Sequence, residues 1–156
     1  MLRSFRTAVV LAAVAVSTLA VTAQSPIRIP LPNNSSFPIS AGVWVGNTLY
    51  LSGMPDPGFN KAPAKDTKAQ TIGAIEAIQK ALVAQKLTLG DVVMMHVYLA
   101  ADPATGKMDF AGFMGGYTQF FGTKDQPNKP ARSAMQVAAL AAPGMLVEIE
   151  VIAVKP

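Results

Sequence analysis

The sequence predicts an α+β domain, a single mixed sheet with two helices on one of its faces. Three observations predict it. Short apolar runs bounded by Gly, Pro and Asn mark strands. Two longer stretches repeat their apolar residues at three- and four-residue steps, as helices do. These segments follow one another in the order ββαβαββ, which asks for one layer of strands and one of helices. A chain of 156 residues, 51% of them hydrophobic, holds one core of ordinary size.

Residues 1–23 read as a secretory leader. Arg3 and Arg6 give the positive start, Thr7 to Val21 form an apolar stretch of 15 residues, and Val21-Thr22-Ala23 is a small-residue cleavage site. The stretch is shorter than the ~20 residues that span a bilayer and lacks a cationic stop. The expectation is cleavage after Ala23, secretion or periplasmic residence, and no stable membrane anchor afterwards. Losing Arg3 and Arg6 lowers the formal charge from +4 to +2, which removes most of the case for a nucleic-acid partner.

Residues 24–36 form an extended lead-in. Its prolines at 26, 30 and 32 allow an edge strand but not a central one. The domain proper covers 37–156. Val43-Trp44-Val45 and Leu49-Tyr50-Leu51 read as two strands joined by a tight turn at Gly46-Asn47, both of which tolerate positive φ. Pro55 to Lys65 is a loop. Thr67-Lys68-Ala69-Gln70 has the spacing of a capping box. The helix it starts carries Ile72, Ile75, Ile78, Leu82 and Val83 on a buried stripe to about Gln85, with Lys68, Glu76 and Lys80 outside.

Val92 to Leu99 returns to strand, and Asp102-Pro103-Ala104-Thr105-Gly106 is turn chemistry. Phe110, Phe113, Met114, Tyr117, Phe120 and Phe121 lie at helical spacing, stopped by Gly122. Two last strands, Arg132 to Leu140 and Leu146 to Val154, read as a hairpin across Ala141-Ala142-Pro143-Gly144. The sheet face away from the helices then carries Glu148 and Glu150 among apolar residues. A face of that kind invites association.

Composition excludes several chemistries. With no cysteine there is no disulfide, thiolate metal site or cysteine nucleophile, and a single histidine cannot build a multi-histidine metal site within one chain. That residue, His96, has no acid adjacent in sequence and reads as a packed strand residue without a role. Trp44 and the aromatic stripe read as core or interface. Gly112, Gly115 and Gly116 lie inside a helix pattern, so close packing explains them better than a phosphate loop does. Lys124 to Lys129 is a solvated loop.

Arg132 stands out, in Pro130-Ala131-Arg132-Ser133-Ala134-Met135-Gln136-Val137, with only Lys155 as a further cation beyond it. A guanidinium at the mouth of a hairpin offers a fork of donors that matches a carboxylate in two parallel hydrogen bonds. Two readings stand side by side: Arg132 clamps a small organic acid, or it forms a structural ion pair with Glu148 or Glu150. In a hairpin register the Cα atoms of Arg132 and Glu148 would lie roughly 17 Å apart. Either a bend or bulge closes that gap, or a full site takes Arg132 from one chain and other groups from the next.

The chain resembles the RidA (YjgF) family of imine and enamine deaminases. Val45-Gly46-Asn47-Thr48-Leu49-Tyr50-Leu51-Ser52-Gly53 is similar to its first hairpin, and Gly90-Asp91-Val92-Val93 with Val97-Tyr98-Leu99 to its third strand. Pro130 to Val154, combining Pro-Ala-Arg-Ser with a Val-Glu-Ile-Glu strand, resembles its C-terminal signature with one extra residue in the turn. The resemblance runs over nearly all of residues 36 to 156. It implies a homotrimer of chorismate-mutase-like subunits, sheets facing inward, with ligand clefts between neighbours.

It also implies an activity: hydrolysis of 2-imino acids or their enamines, of the 2-aminoacrylate type, to 2-keto acids and ammonia, without metal or organic cofactor. Arg132 would clamp the carboxylate, and N–H groups around Ser52 and Gly53 would help orient it. Glu148 would place and activate a water, on an apolar strand with a second acid two residues away on the same face. Four positions depart from the family pattern: Ile39 stands where a Tyr is common, Met54 where Gln follows Ser-Gly, Met114 in place of an Asn, and Ala134 in place of a Cys. The pocket bordered by Ile39, Met114 and Ala134 is therefore expected to be more apolar. A non-catalytic exported trimer that binds small carboxylates, and a ribonuclease, are the alternatives.

Overall fold

The computed structural model describes residues 24–62 and 65–156; the leader expected at 1–23 lies outside them. Eight elements carry the fold: β1 (Ile27–Ile29), β2 (Gly42–Val45), β3 (Thr48–Pro55), α1 (Thr67–Ala84), β4 (Val92–Leu99), α2 (Phe110–Tyr117), β5 (Ala131–Gln136) and β6 (Val147–Val154). The strands form one six-stranded sheet in the order β1-β2-β3-β6-β4-β5. Every pairing is antiparallel except β4 with β5. The expected α+β class, with one mixed sheet and two helices, is the class observed.

The local elements follow from local chemistry. Gly46 takes φ +58 in the β2–β3 turn, a conformation that costs glycine nothing; Asn47 does not share it. β1 sits at the edge, where its neighbouring prolines remove no ladder bond from a central strand. α1 begins where expected but is capped differently. Asp66 is the N-cap, its carboxylate accepting the Ala69 N–H at 2.7 Å. Gln70 has no part in a capping box: fully buried, its amide donates to Lys65 O and Gly144 O and accepts the Leu146 N–H.

Ile75, Ile78 and Leu82 are buried as the stripe predicts, whereas Val83 is 63% exposed because it falls on the solvent side of the turn. α2 ends at Tyr117, short of the aromatic run, and the chain continues in turns to Gly122 at φ +72. Close packing does account for Gly116: a Cβ there would sit 2.8 Å from Thr71 Cβ and 2.9 Å from Lys68 O.

The C-terminal hairpin is not formed. β5 runs parallel to β4, from Met94 opposite Ala131 to Leu99 opposite Gln136, and β6 is inserted between β3 and β4. α2 supplies the crossover that a parallel pair requires. β6 and β3 are the two middle strands of the six.

The helix face of the sheet presents Leu49, Leu51, Met95, Val97, Leu99, Val147, Ile149, Val151 and Ala153, all buried, against Ala74, Ile75, Ile78, Leu82, Phe113 and Tyr117. Among the described residues no helix or strand is layered over the other face. It carries the alternate residues, among them Tyr50, His96, Tyr98, Ser133, Glu148, Glu150 and Ile152. Tyr50 is 46% exposed there, Val45 45% and Met135 44%.

Candidate functional site

Arg132 lies in register with Met95 and, one strand further, Val151. Both are buried on the helix face, so Arg132 points there too, onto α2. Its guanidinium carbon sits 4.4 Å from the centroid of the Tyr117 ring, 4.9 Å from that of Phe113 and 6.0 Å from that of Phe110. The rings are themselves in series along the helix, at the spacing that puts residues three and four apart on one side. Each ring face is electron-rich, which favours a cation by about 0.5–2 kcal/mol. Burial pushes the Tyr117 phenol above its ordinary range, and the charge of Arg132 opposes that shift without cancelling it.

Among the described residues the guanidinium makes one hydrogen bond, from Nη1 to Met114 Sδ, 3.3 Å away. A thioether is a weak acceptor. The ion pairs among the described residues are Lys65 with Asp56 and His96 with Glu150. The structural ion pair considered for Arg132 with Glu148 or Glu150 is therefore not made within the subunit, for a plain reason: both acids project from the opposite face. A half-buried guanidinium, with five donors and one sulfur partner, is left able to receive an anion.

Ala134, two residues on, shares the face of Arg132, and both Ala134 and Met114 are partly buried against the core. These three predicted site residues come together. Ser52, Gly53 and Glu148 form a second group elsewhere. Leu51 pairs with Val151 and Met54 with Ile149, so Ser52 and Gly53 together face Glu150: a β-bulge. Glu148 lies over Gly53, where a Cβ would come within 2.9 Å of its Cδ. Glycine is what leaves room for the carboxylate.

Ser52 is occupied. Its hydroxyl donates to Ser40 O at 2.7 Å and its N–H to Ala41 O at 3.1 Å, so this amide is not a spare donor for a ligand. Its observed work is to tie loop 37–41 to the bulge. That loop presents Ile39, 51% exposed, and Phe37, 64% exposed. Within one subunit, Arg132 and Glu148 stand two strands and three residues apart, about 14 Å by strand geometry, on opposite faces.

The open face also holds an unforeseen arrangement. His96 Nδ1 lies 2.8 Å from Glu150 Oε1, and the Tyr98 hydroxyl donates to the same oxygen at 2.9 Å. The bond to Glu150 is the main reason the Tyr98 phenol titrates above its ordinary value, with burial and the charges of Glu150 and Glu148 adding to it. His96 is thus a partnered, half-exposed residue rather than a packed one. Its acid stands 54 positions away in sequence and opposite it in the β4–β6 ladder, so the only advance signal was strand register.

Comparison with known proteins agrees with this architecture. A RutC family protein of Saccharolobus solfataricus is 40% identical over 120 residues, covering 76% of this chain and 87% of that protein. TdcF of Escherichia coli, provisionally named a reactive intermediate deaminase, is 35% identical over the same shares of both chains. The crystal structure of E. coli TdcF with bound serine superimposes with a TM-score of 0.65 at 32% identity, covering 78% of this chain and 91% of that one. A Mycobacterium tuberculosis member of the YjgF/YER057c/UK114 family gives a TM-score of 0.65 at 29% identity, over 84% of this chain and 100% of that one. The family model described as endoribonuclease L-PSP matches residues 33–155. On these matches the chain belongs to the endoribonuclease L-PSP family, the family of the YjgF, RutC and RidA proteins.

Proposed function

We propose that this protein hydrolyses 2-imino acids and their enamines to 2-keto acids and ammonia, as a homotrimer. The single observation that carries the reading is Arg132: a guanidinium laid on three aromatic rings, with, among the described residues, a thioether for its one hydrogen-bond partner and no acid paired to it. Such a group is preorganised for a carboxylate, because its position is held by rings that do not compete for its donors. The deaminase name of TdcF and the serine bound in its structure support a small amino-acid-like ligand.

The two groups of site residues fit one cleft only if they come from two subunits. In this reading Arg132, Met114 and Ala134 of one chain face Ser52, Gly53, Ile39 and Glu148 of the next. The open sheet face, with Tyr50, Val45 and Met135 exposed, turns inward in the trimer. Arg132 fixes the carboxylate of the imino acid. Glu148 accepts a proton from a water as the water oxygen bonds to the imine carbon, and returns it to the nitrogen. The hydroxyl of the resulting carbinolamine then gives its proton up, by way of Glu148, to the nitrogen as the C=O forms and the C–N bond breaks, and ammonia and the 2-keto acid leave. An imine is already electrophilic, so positioning and one base suffice. Residues 1–23 direct export in the same proposal.

A second reading keeps the clamp without the chemistry. It is favoured by the engagement of Ser52 within its own chain and by Ile39, Met114 and Ala134, which offer a ligand no polar side chain. Enzymic generation of 2-aminoacrylate and of larger imino acids, with keto acid release followed over time, decides between them. Turnover above the spontaneous rate supports the enzyme; carboxylate binding without turnover supports the binding trimer. Cleavage of RNA by purified protein, lost in Arg132→Ala, would instead favour the activity in the family's ribonuclease name.

A further inference from the structure

The surroundings of Arg132 say what kind of acid it is built for, on the reading above that it holds a carboxylate. A carboxylate in the fork of a guanidinium places its own carbon about 4 Å from the guanidinium carbon, and the rest of the ligand in the next few ångströms. Within that shell the subunit offers Phe110, whose ring centre is 6.0 Å from Arg132 Cζ and which is 43% exposed, and the partly buried thioether of Met114. Phe113 and Tyr117 are buried beneath the guanidinium as its floor. Ala134 adds a methyl group on the same face. The one polar group among these neighbours is the phenol of Tyr117, which is buried with the floor; the walls left accessible are the ring of Phe110, the thioether of Met114 and the methyl of Ala134.

The second group of site residues repeats the pattern independently. Loop 37–41, tied to the Ser52–Gly53 bulge, presents Phe37 and Ile39 to solvent rather than to the core. Exposed large apolar side chains are costly to keep unless something covers them. Tyr50, Val45 and Met135 lie on the open sheet face and belong to the subunit interface of the proposal; Phe110 belongs to α2, on the opposite face, and Phe37 and Ile39 to the loop that meets the Ser52–Gly53 bulge.

We propose that the Arg132 site takes 2-imino and 2-keto acids with bulky apolar side chains, branched or aromatic, in preference to the three-carbon acids, and that Phe110 and Met114 set this preference. The carboxylate is anchored by charge and the side chain by burial. Covering two or three carbon groups is worth roughly tenfold or more in affinity, at about 0.8 kcal/mol for each. Polar three-carbon ligands gain nothing from those walls.

Calorimetric titration of the full mature protein with 4-methyl-2-oxopentanoate and with pyruvate tests this directly. The branched acid is expected to bind at least about tenfold more tightly. Phe110→Ala and Met114→Asn should each reduce that ratio severalfold; Phe110→Leu, which keeps the site packed, should reduce it less than Phe110→Ala. Equal affinities in the wild type, or a ratio untouched by all three substitutions, overturn the preference while leaving the clamp intact. Arg132→Ala separates the two ideas: if it weakens neither acid, or if wild type binds neither, the carboxylate site itself is wrong and the preference falls with it.

Discussion

Arg132 and Glu148 project from opposite faces of the same sheet. The strand between them in the sheet order, β4, sets the level of each: Arg132 beside Met95, on the buried side, and Glu148 beside Tyr98, on the open side. Alternation along a strand makes this difference rigid, since no rotamer carries a side chain through the sheet. The base and the clamp of the proposed reaction are therefore joined by assembly or not at all.

Separate roles should give separable defects. Arg132→Ala removes a charge-assisted bidentate anchor and should weaken binding of a 2-keto acid by at least ~2 kcal/mol, abolishing turnover with it. Glu148→Gln should leave binding nearly unchanged and slow imine hydrolysis by ~100-fold or more, the scale of losing a general base. Isothermal titration and steady-state rates on the two variants check this. If both lose binding alike, Glu148 shapes the site rather than acting in the chemistry.

Glu148 keeps its place because Gly53 has no side chain. A methyl group there would overlap the carboxylate. Gly53→Ala should show a kinetic defect of the same kind as Glu148→Gln but smaller, a fall in kcat of roughly 10- to 100-fold, with an unchanged thermal midpoint to within about 2 °C. A Gly53→Ala enzyme of wild-type rate would remove Glu148 from the reaction.

Local patterns announced most of this fold. β2, β3 and β4 show apolar runs between turn residues, and α1 shows its stripe; each depends on neighbours in sequence. Misreadings arose where the partner was distant. The Thr67–Gln70 spacing imitates a capping box, yet Asp66 offers a charged acceptor and Gln70 is drawn inward to satisfy Gly144 and Leu146. Two strands separated by residues 137–146 read as a hairpin, but that connection is long enough for β6 to enter the sheet on the far side of β4. Arg132 and Glu148 could be picked out by residue type; their opposite orientation could not, because it depends on register with β4. The His96–Glu150–Tyr98 group was invisible for the same reason.

Alkaline titration should report on that group. Tyr98 and Tyr117 both have phenols whose folded pKa is raised above 10.0. In the interval between the unfolded and folded values the native state binds more protons than the unfolded state, so stability is complete below about pH 10 and declines as pH rises through the folded values. Tyr98→Phe should make that decline shallower, and Glu150→Gln should bring the Tyr98 phenol back toward its ordinary value. Denaturant melts between pH 8 and 11 measure the first; ultraviolet titration of phenolate measures the second. A decline of equal steepness in Tyr98→Phe would mean that the open-face hydrogen bond is not formed in solution.

The leader proposal makes a simple demand. Exported protein should begin at Gln24, since Val21-Thr22-Ala23 is the only small-residue site directly after the apolar run. N-terminal sequencing of protein recovered outside the cytoplasm is the check, and an intact Met1 on that material refutes cleavage.

Shared sites give the most discriminating experiment. Light scattering should first show a trimer at micromolar concentration. Arg132→Ala and Glu148→Gln, each inactive alone, should then be unfolded together at equal amounts and refolded. If every cleft takes its arginine from one subunit and its glutamate from the next, random assembly leaves both residues intact in about one cleft in four, so activity should return to roughly a quarter of wild type. Mixing the two folded trimers without unfolding should return nothing until subunits exchange. If Arg132 and Glu148 acted within one chain, no mixture could contain a complete site, and the refolded sample would be as inactive as its parents. That result would contradict the intersubunit cleft and, given the opposite faces of the two residues, would leave Glu148 with no means of reaching a ligand held by Arg132.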